Sequence, residues 1–171
     1  MSSFGQPAQS GSTAPVRSGG TIPPATSVST GGWASLLEDE ERHARRQGFG
    51  AGVIVISFAP ELLRRVDDDS RALVESAIIT LIQSKMYWTD RGISMAPGRF
   101  GIVTVPIDGT LALAARARAL HEDLRGRGLM VDIAYALRRD RGGLTAAAAR
   151  ADAALDTAAA RRCSPIADRT R

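Results

Sequence analysis

The 171-residue chain is 44% apolar and carries a formal charge of +4, which suffices for one core-bearing domain with tails. Its single cysteine, Cys163, excludes an internal disulfide framework and a cysteine-rich zinc site, and no apolar run reaches the ~18 residues of a membrane span, so a cytoplasmic protein is expected. Of its 22 basic residues only Lys85 is a lysine, a usage that points to a GC-rich bacterial genome; the arginines are not interleaved with aromatics, which speaks against nucleic-acid binding.

Residues 1–31 are Gly, Ser, Thr, Pro, Ala and Gln with one charge, Arg17, and predict a disordered tail because so little apolar surface can be buried. Order is expected from Trp33. Residues 34–47 predict an entry helix, with Glu38 and Arg42, and Glu41 and Arg45, at i,i+4 spacing. Trp33 and Leu37 are its anchors against the domain or a partner, and Gly48 and Gly50 end it. The β-branched run from Ala51 to Phe58 predicts a central strand covered on both faces. Residues 61–66 can make one helical turn. Residues 70–86 predict a helix with Leu73, Val74, Ala77, Ile78, Leu81 and Ile82 on one face, and Asp67, Asp68 and Asp69 sit where its dipole favours negative charge.

The stretch from Ile93 to Pro106 predicts a β-hairpin turning at Pro97-Gly98. Thr110 is a candidate N-cap for a helix over 111–124, and Leu129 to Leu137 reads as the last strand. A basic loop over 138–143 leads to an alanine-rich helix over 146–162, with Thr145 as its expected cap. Residues 163–171 are read as a basic tail, leaving a domain over 32–162. Helix, strand, helix, hairpin, helix, strand and helix in that order predict an α+β fold: a ferredoxin-like split βαβ palm, its sheet mixed or antiparallel with helices on one face.

Two enzyme readings fail on the residues. No P-loop or dinucleotide glycine pattern follows the first strand. Ser57, His121 and Asp132 are the types of a hydrolase triad, but no local context supports one, and His121 lacks a partner at metal-ligand spacing.

At the hairpin the sequence resembles the GGDEF domain of diguanylate cyclases. The run from Thr89 to Phe100 lies over the family's hairpin block without a gap, with Asp90 and Phe100 in place. Pro106 matches the proline closing the next strand, and residues 149–158 resemble the family's Ala-Asp-x-Ala-Leu-Tyr-x-Ala-Lys segment. The resemblance spans Trp33 to Arg162 and implies the fold just described.

The departures from the family pattern bear on activity. Cyclase chemistry needs carboxylates that hold Mg²⁺ against triphosphate. The two hairpin glycines are Ala96 and Pro97 here, and the two acidic positions are Gly98 and Arg99. The strand-end carboxylate falls in the run Ile56 to Phe58, and the phosphate-binding lysine of the last helix falls on Ala159. The product site, Arg-x-x-Asp in the family, keeps Asp90 but has Tyr87 for its arginine, and tyrosine cannot replace a bidentate guanidinium. The expectation is a catalytically inactive regulatory or protein-interaction module without metal or cofactor. Trp33, Trp88, Arg91 and Arg99 are the candidate ligand or partner contacts. The alternative is a non-catalytic receptor for GTP or cyclic di-GMP using Arg91, Arg99 and the loop 138–141. A third reading is a scaffold or dimer module in which Trp33, the entry helix and the Tyr87-Trp88 pair contact another chain.

Overall fold

A computed structural model describes residues 32–58 and 67–163. The tail expected at 1–31, the turn at 61–66 and most of the tail expected at 163–171 lie outside the described residues. The described elements are, in order, α1 (Trp33–Gln47), β1 (Gly52–Phe58), α2 (Asp68–Gln83), β2 (Arg91–Ala96), β3 (Arg99–Thr104), α3 (Gly109–Gly126), β4 (Val131–Leu137) and α4 (Gly143–Cys163). The strands form an antiparallel sheet in the order β2-β3-β1-β4, the split βαβ arrangement predicted from the element order.

β1 pairs with β3 on one side and β4 on the other, and its side chains alternate between two apolar layers. Val53 and Val55 face α1 and α4 with Leu36, Leu37, Leu144, Ala147 and Ala151. Ile54, Ile56 and Phe58 face α2 and α3 with Ile78, Ile82, Leu113 and Leu124. The helices therefore cover both faces of the sheet, not one as expected. A central strand that is apolar on both faces needs a layer on each, and the unbroken β-branched run of β1 reflects that demand.

The buried stripe of α2 is narrower than its sequence suggests. Ile78 and Ile82 are buried and Val74, Ile79 and Leu81 pack beside them, but Leu73 is 73% exposed and Ala77 faces solvent. Asp67 caps this helix, accepting from the Ser70 N–H at 2.8 Å.

Neither predicted threonine cap is one. α3 begins at Gly109, so Thr110 lies inside it; Asp108 holds the N-cap position and makes no side-chain cap bond. α4 begins at Gly143, so Thr145 is likewise internal. The orphan N–H of Leu144 is satisfied from another helix: Glu41 Oε2 accepts it at 2.9 Å. The same carboxylate receives Arg138 Nε at 2.9 Å and Arg45 Nε at 2.6 Å. Burial pushes the Glu41 carboxyl up, but the bonds from Arg138, Arg45 and Leu144 outweigh it and hold the group below its usual range. One side chain on α1 thus fixes the end of β4 and the start of α4.

Candidate functional site

β2 and β3 are joined by the two-residue turn Pro97-Gly98. Gly98 has φ +72°, the left-handed conformation that a type II turn requires of its second central residue and that glycine adopts without strain. The pairing slips by one residue between Ser94 and Ala96, which makes Met95 a bulge. Phe100 is fully buried and anchors the hairpin in the layer shared with α2 and α3. On the opposite layer Trp33 lies against Gly101 so closely that a Cβ there would meet its ring at 2.7 Å. Trp33 is thereby half-buried on the chain's own sheet.

The hairpin tip is tied down by three other elements. The Gly98 N–H donates to Glu75 Oε1 of α2 at 3.0 Å, and the Gly98 carbonyl accepts from the Phe58 N–H of β1 at 2.9 Å. Arg99 extends its guanidinium to α4, where Nη1 donates to Asp152 and Nη2 to Asp156. These carboxylates, chiefly through the Asp156 hydrogen bond, push the Arg99 pKa up and lock the side chain in its charged form. Arg99, expected as a ligand contact, is therefore occupied within the fold.

A second cluster forms at the opposite end of the hairpin. Asp90 is buried and accepts the Tyr87 N–H at 2.9 Å, closing the turn before β2. Arg116 of α3 reaches Asp90 Oδ1 at 3.0 Å while its guanidinium carbon lies 3.7 Å from the centroid of the Tyr87 ring. Burial raises the Asp90 pKa; the Tyr87 N–H and Arg116 oppose that rise without cancelling it. Trp88 is 76% exposed and, with Arg91, His43 and Phe49, lines a hollow of about 260 Å³. Arg91 donates to the Trp88 and Asp90 carbonyls at 3.4 and 3.3 Å.

The single basic surface expected from Arg91, Arg99 and residues 138–141 is not assembled. Arg91 opens β2 and Arg99 follows its end, so the two sit at opposite ends of the hairpin, roughly 16 Å apart at the rise of a strand. Arg138 is held by Glu41. Ser57 and Asp132 oppose one another across β1 and β4, and Asp132 lines one groove with His121 of α3, but Ser57 does not line that groove, so the three types of a triad are not gathered at one site.

No protein-family model and no curated protein matches the sequence. Solved structures do match the fold. The GGDEF domain of YfiN (TpbB) from Pseudomonas aeruginosa aligns with a TM-score of 0.65 at 18% identity, over 78% of this chain and 92% of that one. The GGDEF domain of DgcB from Caulobacter crescentus, solved with c-di-GMP, aligns with a TM-score of 0.65 at 13% identity, over 75% and 82%. The diguanylate cyclase SiaD from Pseudomonas aeruginosa, solved with its activator SiaC, aligns with a TM-score of 0.59 at 18% identity, over 74% and 53%.

The fold is that of a GGDEF domain. On this GGDEF framework the tip groups Gly98 and Arg99 bond to Glu75, Asp152 and Asp156, partners that the sequence reading did not assign. The i,i+4 spacing of Asp152 and Asp156 was their one local signal. Arg116 was missed as well: 26 residues beyond Asp90, it nonetheless brings a guanidinium to the segment where Tyr87 stands in the arginine position of the resemblance. Among the described residues no cluster of three or more metal-ligating side chains forms, and no helix is long and apolar enough to cross a membrane.

Proposed function

We propose that this is a non-catalytic GGDEF-fold domain, residues 32–162, that acts in the bacterial cytoplasm as a regulatory module contacting a protein partner. The bridge from Arg99 to Asp152 and Asp156 carries the reading. Where the resemblance calls for a metal-binding carboxylate, a guanidinium stands, and it is neutralised by α4 rather than left for phosphate. The Gly98 N–H, which could otherwise meet an anion, is taken by Glu75. A two-metal reaction needs carboxylates converging on the hairpin, and here the carboxylates there pair with the chain's own donors. SiaD, solved with its activator, is a precedent for a protein-contacted cyclase of this fold.

The test is incubation of the purified chain with GTP and Mg²⁺ or Mn²⁺, with product separated by chromatography. No cyclic di-GMP above the blank is expected, and steady turnover would overturn the reading.

A second reading, a receptor for GTP or cyclic di-GMP, is favoured by one observation. Arg116, Asp90, Tyr87 and the exposed Trp88 bring a cation, a carboxylate and two aromatic rings to one end of the sheet. Guanine can be read by such groups through stacking and paired hydrogen bonds. Calorimetry with GTP and with cyclic di-GMP separates the readings: heat that disappears in Arg116→Ala supports a receptor, and no heat at millimolar ligand removes it.

A further inference from the structure

β4 is an edge strand, and one hydrogen bond defines which of its backbone groups are unpaired in the sheet. The Arg138 N–H donates to the Ala51 carbonyl at 2.9 Å. In an antiparallel ladder the bonded positions alternate, so Ala136, Ala134 and Asp132 bond to β1 while Leu137, Tyr135 and Ile133 direct their N–H and C=O outward. The Leu137 carbonyl is met by Arg150 Nη2 at 2.7 Å, which confirms that outward direction.

The edge lies at the bottom of a groove of about 480 Å³ between α3 and α4. Its walls are short: Ala114 and Ala117 on one side, Ala154 and Ala158 on the other. A second hollow of about 330 Å³, which shares Tyr135 with the groove, lies towards the end of β4 beside Arg139 and Arg150. The other edge strand, β2, is broken by its bulge at Met95, a common device against further pairing. β4 keeps its register over all seven residues.

We propose that β4 is the docking edge for an acidic, extended segment of another protein, which adds to the sheet as a fifth strand. Charge selects the occupant. Arg118 and His121 line the groove and Arg139 and Arg150 the adjoining hollow along β4, and Asp132 is the one carboxylate among the residues lining the two. Arg118 and Arg139 make no ion pair among the described residues. A second copy would set these arginines against their own equivalents. The chain's own segments offer no compensation, since residues 1–31 carry only Arg17 and residues 164–171 carry Arg169 and Arg171 against Asp168. An acidic strand satisfies the outward N–H and C=O groups of Ile133 and Tyr135, places small or branched side chains against the alanines, and pairs its carboxylates with the rim. The proposal names the surface of the interaction module and rests on that reading, which the cyclase assay decides separately.

The experiment is selection from a displayed random library of peptides of about ten residues, enough to span β4, on the full chain. Enriched peptides are expected to be proline-free, with acidic residues alternating with β-branched ones. Fluorescence polarisation of one enriched peptide should show binding that weakens by about tenfold in the double variant Arg118→Glu, Arg139→Glu. It should be lost in Ile133→Pro, whose fold is checked by circular dichroism. The charge-reversed variant alters only exposed side chains and serves as the test even where Ile133→Pro does not fold. Selection without acidic bias, or affinity unchanged by charge reversal, overturns the proposal. So does tighter binding of an oligothymidylate through the same arginines, or a concentration-dependent dimer that Ile133→Pro abolishes.

Discussion

Glu41 of α1 accepts the backbone N–H of Leu144 at 2.9 Å across 103 residues of sequence, and so caps a helix to which it does not belong. The same carboxylate neutralises Arg138, with both side chains mostly buried. Glu41→Ala leaves an orphan helix N–H and an unpaired guanidinium. It is expected to cost about 2 kcal/mol, read as a lower urea midpoint with an unchanged slope. The carboxyl is held below its usual range in the folded state. It therefore adds stability above the ordinary carboxylate range that fades as pH falls through the lowered value. Glu41→Gln should flatten that acid limb; parallel pH profiles for the two proteins would count against the assignment.

Asp90 behaves with the opposite sign. Burial raises its pKa, so the protonated form is the one the fold favours, and that contribution is lost as pH rises through the raised value. Asp90→Asn keeps an oxygen for the Tyr87 N–H and removes the titration. The stability of the variant relative to the native chain should climb from the ordinary carboxylate range upward, measured by urea unfolding at a series of pH values. A constant difference across the series would refute the account.

The bridge between Arg99 and the pair Asp152 and Asp156 is partly exposed, so its worth is modest. Arg99→Ala should lower stability by about 1 kcal/mol at low ionic strength and by less in high salt. A double-mutant cycle with Asp152→Ala measures the coupling directly. A coupling indistinguishable from zero at low salt would remove this link between the hairpin and α4.

Gly101 lies beneath Trp33, where an added Cβ would meet the indole at 2.7 Å and the Met95 sulfur at 2.9 Å. Gly101→Ala forces the ring away from β3 and is expected to cost about 1–3 kcal/mol. The variant combined with Trp33→Ala should recover part of that loss, because the obstructing ring is gone. Additive losses in thermal unfolding would show that the two residues do not touch.

The element order, the buried central strand, the hairpin with its Pro97-Gly98 turn and the alanine face of α4 were all readable in the chain, because each is written in residues close together in sequence. Apolar periodicity and turn chemistry act over a few residues, so they specify elements and, through their order, the split βαβ fold. The same local view overread Leu73 and Ala77 as core, since a helix stripe is as wide as the surface it meets and that surface belongs to other elements. It placed caps at Thr110 and Thr145, where the backbone enters each helix earlier and α4 is served by Glu41. It grouped Arg91 with Arg99, which the hairpin sets at opposite ends. The partners of Arg99 lie 53 and 57 residues away and the cation beside Asp90 lies 26 residues away. Charge pairs of that kind depend on which faces the topology brings together, and only the folded sheet with a helix layer on each side decides them.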